Sequence, residues 1–161
     1  MQETYTAKGT VGTVAENLRE FRGWMGQRIR GQDHVLDHLA AHVMRSEQGL
    51  TERGLPRGGW LFVGPTGVGK TEVTNQFTEF WFGEEKLARF DMSEYKEANT
   101  ISRFIQRVCL AVTAGKRVFL WDEIDKAHTD ILNLLLQILS AARLTDLEGM
   151  THDFSDAYGV L

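Results

Sequence analysis

Gly64-Pro65-Thr66-Gly67-Val68-Gly69-Lys70-Thr71 decides the reading of this 161-residue chain. It satisfies the pattern G-x-x-x-x-G-K-[ST] at every fixed position. Glycines let the backbone curl so that successive N–H groups face phosphate oxygens. A helix starting near Lys70 aims its positive N-terminal end at the same point. In such a loop the lysine reaches the β- and γ-phosphates, and the hydroxyl residue that follows is a Mg²⁺ ligand. Lys70 and Thr71 hold those places.

The flanks agree with the loop. Trp60-Leu61-Phe62-Val63 is a short continuous apolar run, which predicts a strand buried on both faces. A helix is predicted from about Lys70 to Phe82. Further on, Leu87 to Phe90 reads as a strand ending at Asp91, and Ser93 to Leu110 as mostly helical. Val118-Phe119-Leu120-Trp121 reads as another buried strand, Ile131 to Ala142 as an apolar helix, and Tyr158 to Leu161 as the start of one more strand. Strands alternating with helices predict an α/β fold, a three-layer P-loop domain with a parallel sheet.

Upstream, Thr13 and Glu16 form a possible capping box. Val14, Leu18, Phe21 and Met25 then recur at helical spacing over 14–25. A second N-terminal helix is predicted from Asp33 to Arg45, and the Gly-rich stretch Ser46 to Gly59 reads as an exposed loop. Residues 1–12 read as a flexible lead-in, and 13–161 as one nucleotide-binding domain.

Two acids, Asp122 and Glu123, follow the Val118–Trp121 strand. In open α/β sheets, ligands sit beyond the carboxyl ends of the strands. Asp122 is placed to hold Mg²⁺, and Glu123 to orient or deprotonate an attacking water. An adjacent acid pair of this kind points to hydrolysis as well as binding.

Composition bounds the alternatives. Apolar residues make up 42% of the chain and charged residues 25%, an ordinary globular mixture. No apolar run approaches the ~20 residues that span a bilayer, and Met1-Gln2-Glu3-Thr4 does not start a signal segment. A cytoplasmic protein is the expectation. The single cysteine, Cys109, has no internal partner and reads as a small core hydrophobe. A formal net charge of −4 argues against nucleic acid and anionic membrane as partners. His34, His38 and His42 stand four apart, a spacing that can chelate Zn²⁺, but they flank an apolar stripe and lack the H-E-x-x-H order. Trp24, Trp60, Trp81 and Trp121 read as core aromatics rather than a base-stacking platform.

Taken together, these residues resemble the AAA+ ATPases, and within them the second ATPase domain of the Clp-type disaggregases and unfoldases. The resemblance covers most of the chain, from about Glu16. Gly64 to Thr71 is similar to that family's phosphate loop throughout, and Asp91-Met92-Ser93-Glu94-Tyr95 to its Asp-Met-Ser-Glu-Phe/Tyr stretch. Asp122-Glu123 with Lys126-Ala127-His128 resembles Asp-Glu-hydrophobic-Glu-Lys-Ala-His, with Asp125 at the second Glu. Ile29-Arg30-Gly31-Gln32 resembles the segment that lies against adenine, which implies base contact by Ile29 and Arg30.

The resemblance implies ATP as the nucleotide, Mg²⁺ as its metal, a ring-forming homo-oligomer, and work on or with proteins. No Asn-Lys-x-Asp guanine-reading motif is visible. Two departures qualify the expectation. The family's aromatic pore loop, Gly-Tyr-Val-Gly, has no counterpart between Ser102-Arg103 and the Asp-Glu strand. The resemblance also breaks off at Leu161, before the family's sensor Asn, arginine finger and helical lid. An arginine finger can contribute a factor of about 10³–10⁵ in rate. The expectation is therefore ATP binding with slow hydrolysis in isolation, or an ATP-dependent interaction module without threading activity.

Overall fold

A computed structural model describes residues 4–5, 11–12, 14–29, 33–63 and 69–161. The chain divides into two compact units, one of 1–51 with 63–86 and one of 52–62 with 87–161.

The first unit is helical. Within the stretch read as a lead-in, β1 (Thr4–Tyr5) and β2 (Val11–Gly12) pair antiparallel. Then come α1 (Val14–Arg28), α2 (Asp33–Glu47) and α3 (Lys70–Trp81). Their apolar periodicity becomes the core: Phe21 and Met25 of α1, Leu36, Leu39 and Val43 of α2, and Val73, Phe77, Phe80 and Trp81 of α3 are buried. Phe21 meets Phe80 edge-on with ring centroids 5.3 Å apart, a favoured aromatic geometry. Thr74 and Thr78 are also buried, and their hydroxyls donate to the carbonyls of Lys70 and Thr74 one turn back, so neither hydroxyl is left costly. Arg22 and Asp37 pair at 2.8 Å between α1 and α2.

The second unit carries the sheet. β3 (Gly58–Trp60), β4 (Leu87–Asp91), β5 (Val118–Asp122) and β8 (Tyr158–Val160) stand in the order β3-β8-β5-β4. All three pairings are parallel, as the strand–helix alternation predicts. The helices of this unit are α4 (Ile101–Thr113) and α5 (Thr129–Ala141). Register puts Ala88 beside Phe119 and Phe90 beside Trp121, and these four side chains join one core cluster with Phe104 and Val108 of α4 and Ile131, Leu135 and Ile138 of α5. Val118 and Leu120, on the other face of β5, are buried too. β5 is thus the strand buried on both faces that its sequence predicts.

Two predicted elements differ, and one hairpin was not predicted. The strand expected over Trp60–Val63 is instead Gly58–Trp60, at an edge of the sheet, with Leu61 and Val63 65% and 87% exposed. Bonding to β8 persists a little further, with the Leu161 N–H donating to the Trp60 carbonyl and the Phe62 N–H to the Leu161 carbonyl. The apolar run therefore marks the end of a strand that, among the described residues, pairs with β8 alone. The helix expected from Ser93 begins only at Ile101. Before it, the chain makes short 3₁₀ turns at Met92–Tyr95 and Ala98–Thr100, separated by extended Glu97. The Asp91 carboxylate takes the Ser93 N–H, a local bond that competes with helix formation. The third difference is an antiparallel hairpin of β6 (Arg143–Thr145) and β7 (Thr151–Asp153) after α5.

Candidate functional site

In the first unit, α3 opens the second half of the phosphate-loop motif. Gly69, at its N-cap, has φ 91°, and no side chain caps the helix. That conformation favours glycine, which explains why the motif fixes Gly at this step. The Val73 N–H donates to the Gly69 carbonyl at 2.9 Å and begins the helical ladder. Lys70 and Thr71 occupy the first turn, both half-buried. Ile29 follows α1, buried, with its N–H bonded to the Met25 carbonyl at 2.7 Å. Arg30, Gly31, Gln32, Gly64, Pro65, Thr66, Gly67 and Val68 lie outside the described residues.

In the second unit, β4 and β5 run level and finish together, with Asp91 beside Asp122. Strand alternation puts Arg89, Asp91, Leu120 and Asp122 on one face. Arg89 Nη2 lies 2.9 Å from Asp122 Oδ2. Next, Glu123 adopts a left-handed backbone, φ 58° and ψ 44°, and leads into a 3₁₀ turn at Ile124–Lys126. Lys126 Nζ lies 2.6 Å from Glu123 Oε2. That hydrogen bond is the main cause that raises the Lys126 pKa above its ordinary value, with the charges of Glu123, Asp125 and Asp91 adding to it. The Asp91 carboxyl is held below the usual range by the Ser93 side chain first and the Ser93 N–H second.

The segment Met92–Tyr95 is held from two sides. From α4, Arg103 donates to the Glu94 carbonyl at 2.9 Å and Arg107 to the Tyr95 hydroxyl at 2.6 Å. From the segment after β5, the His128 N–H donates to the Tyr95 carbonyl at 2.9 Å. His128 also caps α5, its Nδ1 accepting the Asp130 N–H at 3.2 Å. The two stretches read in the sequence as separate signatures, Asp91–Tyr95 and Asp122–His128, are therefore one bonded structure.

Chemically, this strand end offers carboxylate oxygens to a hard cation and a proton acceptor to a water. Mg²⁺ is usually held by one or two carboxylates together with phosphates and waters, not by an all-protein cage. A partly exposed carboxylate such as Asp122 suits that donor set, as does the Thr71 hydroxyl in the first unit. Among the described residues, no group of three or more His, Cys, Asp or Glu side chains is arranged to hold a metal. No described helix is long and apolar enough to cross a membrane. Sequence reasoning missed Arg89 and Lys126 as partners of the acid pair. Lys126, three residues after Glu123 in a turn, was within its reach. Arg89 was not, because only the β4–β5 register brings it to Asp122.

A profile of the AAA domain family (Cdc48 subfamily) matches residues 55–161. Chaperone protein ClpB of Rickettsia felis is 40% identical over 169 aligned residues, covering 94% of this chain and 20% of its own length. Chaperone protein ClpB of Corynebacterium efficiens is 36% identical, over 91% of this chain and 19% of its own. The ATP-dependent Clp protease ATP-binding subunit ClpA homolog of Porphyra purpurea is 40% identical, over 88% of this chain and 19% of its own. The chain spans about a fifth of the length of the curated relatives it matches.

Proposed function

From the premise that the chain belongs to the AAA domain family (Cdc48 subfamily), as a Clp-type member, we propose that residues 13–161 form a domain that binds ATP with Mg²⁺ and hydrolyses it slowly on its own. In the first unit, Gly64, Pro65, Thr66, Gly67, Val68, Gly69 and Lys70 take the phosphates, Thr71 gives a hydroxyl to the metal, and Ile29 and Arg30 serve the base. In the second unit, Asp122 gives the metal a carboxylate oxygen, and Glu123 accepts the proton of the attacking water. Bound Mg²⁺ supplies charge neutralisation on the phosphates. Positioning and electrostatics do most of the work in phosphoryl transfer, so these residues suit binding better than fast turnover.

The observation that carries the reading is the acid pair at the carboxyl end of β5, beside the end of β4. Relatives named as a chaperone and as a protease ATP-binding subunit support protein partners, and the homo-oligomeric ring is what the family resemblance implies. Calorimetric titration of ATP with Mg²⁺ into the wild-type chain and Lys70→Ala tests the binding. The expected result is binding that the variant loses. Equal binding by both would remove the phosphate-loop assignment.

A second reading is favoured by the connection between α4 and β5. It runs only from Ala114 to Arg117, too short for a substrate-gripping aromatic loop. On this reading ATP controls docking to a protein, with little hydrolysis and no threading. Light scattering with and without ATP separates the two, since a motor assembles into a ring.

A further inference from the structure

Glu123 is held twice by the same residue. The Lys126 N–H donates to the Glu123 carbonyl at 3.0 Å, and Lys126 Nζ meets Glu123 Oε2 at 2.6 Å. We propose that Lys126 is a positioning residue that latches the Glu123 carboxylate in a resting arrangement, and that hydrolysis requires its release; the inference rests on the role given to Glu123 above.

Three observations lead there. A carboxylate oxygen that already takes a charge-assisted bond from an ammonium is a poorer acceptor for a proton from water. Glu123 also holds a left-handed backbone that a non-glycine residue keeps only when its surroundings over-determine it. Its two bonds to Lys126 are part of that determination, so losing the ammonium loosens the turn as well as the oxygen. Finally, the ammonium sits near Asp91 and Asp125 in addition to Glu123. It is charged at any pH of interest, so the latch is opened by competition for the ammonium and not by its titration. Both side chains are about two-fifths exposed, 42% for Lys126 and 43% for Glu123. An exposed pair is weak, so the latch should slow hydrolysis only about two- to fivefold.

Two measurements test it. In the first, the nucleotide-free protein is acetylated briefly with an N-hydroxysuccinimide ester, and modification of Lys126 is followed by peptide mass spectrometry. An ammonium tied to a carboxylate gives up its proton reluctantly, so Lys126 should label more slowly in the wild type than in Glu123→Gln. Equal labelling would show that the pair does not exist in solution and would overturn the latch. In the second, single-turnover hydrolysis and ATP affinity are compared in wild type, Lys126→Met and Lys126→Arg. The expected result is faster hydrolysis in Lys126→Met with unchanged affinity, and a return to the wild-type rate in Lys126→Arg. Slower or unchanged hydrolysis in Lys126→Met would overturn the proposal, and melting midpoints show whether each variant is folded. Wild-type hydrolysis by Glu123→Gln would instead remove the parent assignment of Glu123, and the latch with it.

Discussion

Arg89 on β4 closes on Asp122 at the end of β5, with Nη2 and Oδ2 2.9 Å apart. The carboxylate proposed for the metal is therefore partnered by a cation of the neighbouring strand. A metal ion approaching Asp122 competes with Arg89 for the same oxygen. The Arg89 side chain is half exposed, and such pairs are worth roughly 0–1 kcal/mol. Replacing it by Met should lower the Mg²⁺ concentration that half-saturates ATP binding by about two- to fivefold. A fluorescent ATP analogue titrated at stepped Mg²⁺ measures this. A higher Mg²⁺ requirement in Arg89→Met would mean that the guanidinium supports the bound state and does not compete with it.

That pairing also marks the limit of what the sequence discloses. The α/β class was legible because β5 is an uninterrupted apolar run, and α5 was legible because Ile131, Leu135 and Ile138 recur at helical spacing and are buried. Leu61 and Val63 misled for the same reason that β5 did not. Hydrophobic runs report a potential to be buried, and whether a second neighbouring strand is present is a tertiary fact. The β6–β7 hairpin had a readable signal in Asp146-Leu147-Glu148-Gly149, a turn with Gly149 at φ 85°. The Arg89–Asp122 bond had no such signal. Its partners are 33 positions apart in the chain, and only the parallel register brings them together.

The turn of that hairpin carries a pH dependence. Asp146 Oδ2 lies 2.8 Å from His152 Nε2, and Asp146 Oδ1 accepts the N–H groups of Glu148 and Met150 at 2.9 Å each. These bonds, His152 first, hold the Asp146 carboxyl below its ordinary value. A carboxyl whose folded pKa is depressed contributes stability above its unfolded pKa, about 3.9 for Asp, and loses it as pH falls through the lower folded value. Asp146→Asn should therefore be less stable than wild type at about pH 5, and the margin should shrink as pH falls below about 4. Urea midpoints measured downward from about pH 5 check this. A gap that widened as pH fell from about 5 to about 3 would reverse the sign and remove Asp146 as the source.

Gly159, in the middle of β8, tests the packing beneath the acid-bearing strand. It stands beside Gly59 of β3 and Phe119 of β5. A Cβ at Gly159 would lie 2.9 Å from Leu139 Cδ2 and 2.9 Å from Trp121 Cζ3. Trp121 is only 1% exposed, so it has little room to retreat. A Cβ at Gly59 would meet the same Leu139 methyl at 3.5 Å, an ordinary contact. Replacing glycine by alanine in a strand recovers about 0.5–1 kcal/mol of chain entropy where space permits, whereas overpacking a tight core costs about 1–3 kcal/mol. Gly59→Ala should therefore be neutral or slightly stabilising, while Gly159→Ala should lose about 1–2 kcal/mol net and melt roughly 2–8 °C lower. Thermal melts of the two variants side by side decide it. Equal melting points would mean that Leu139 and Trp121 move aside freely, and that β8 is not packed as tightly against α5 and β5 as the distances indicate.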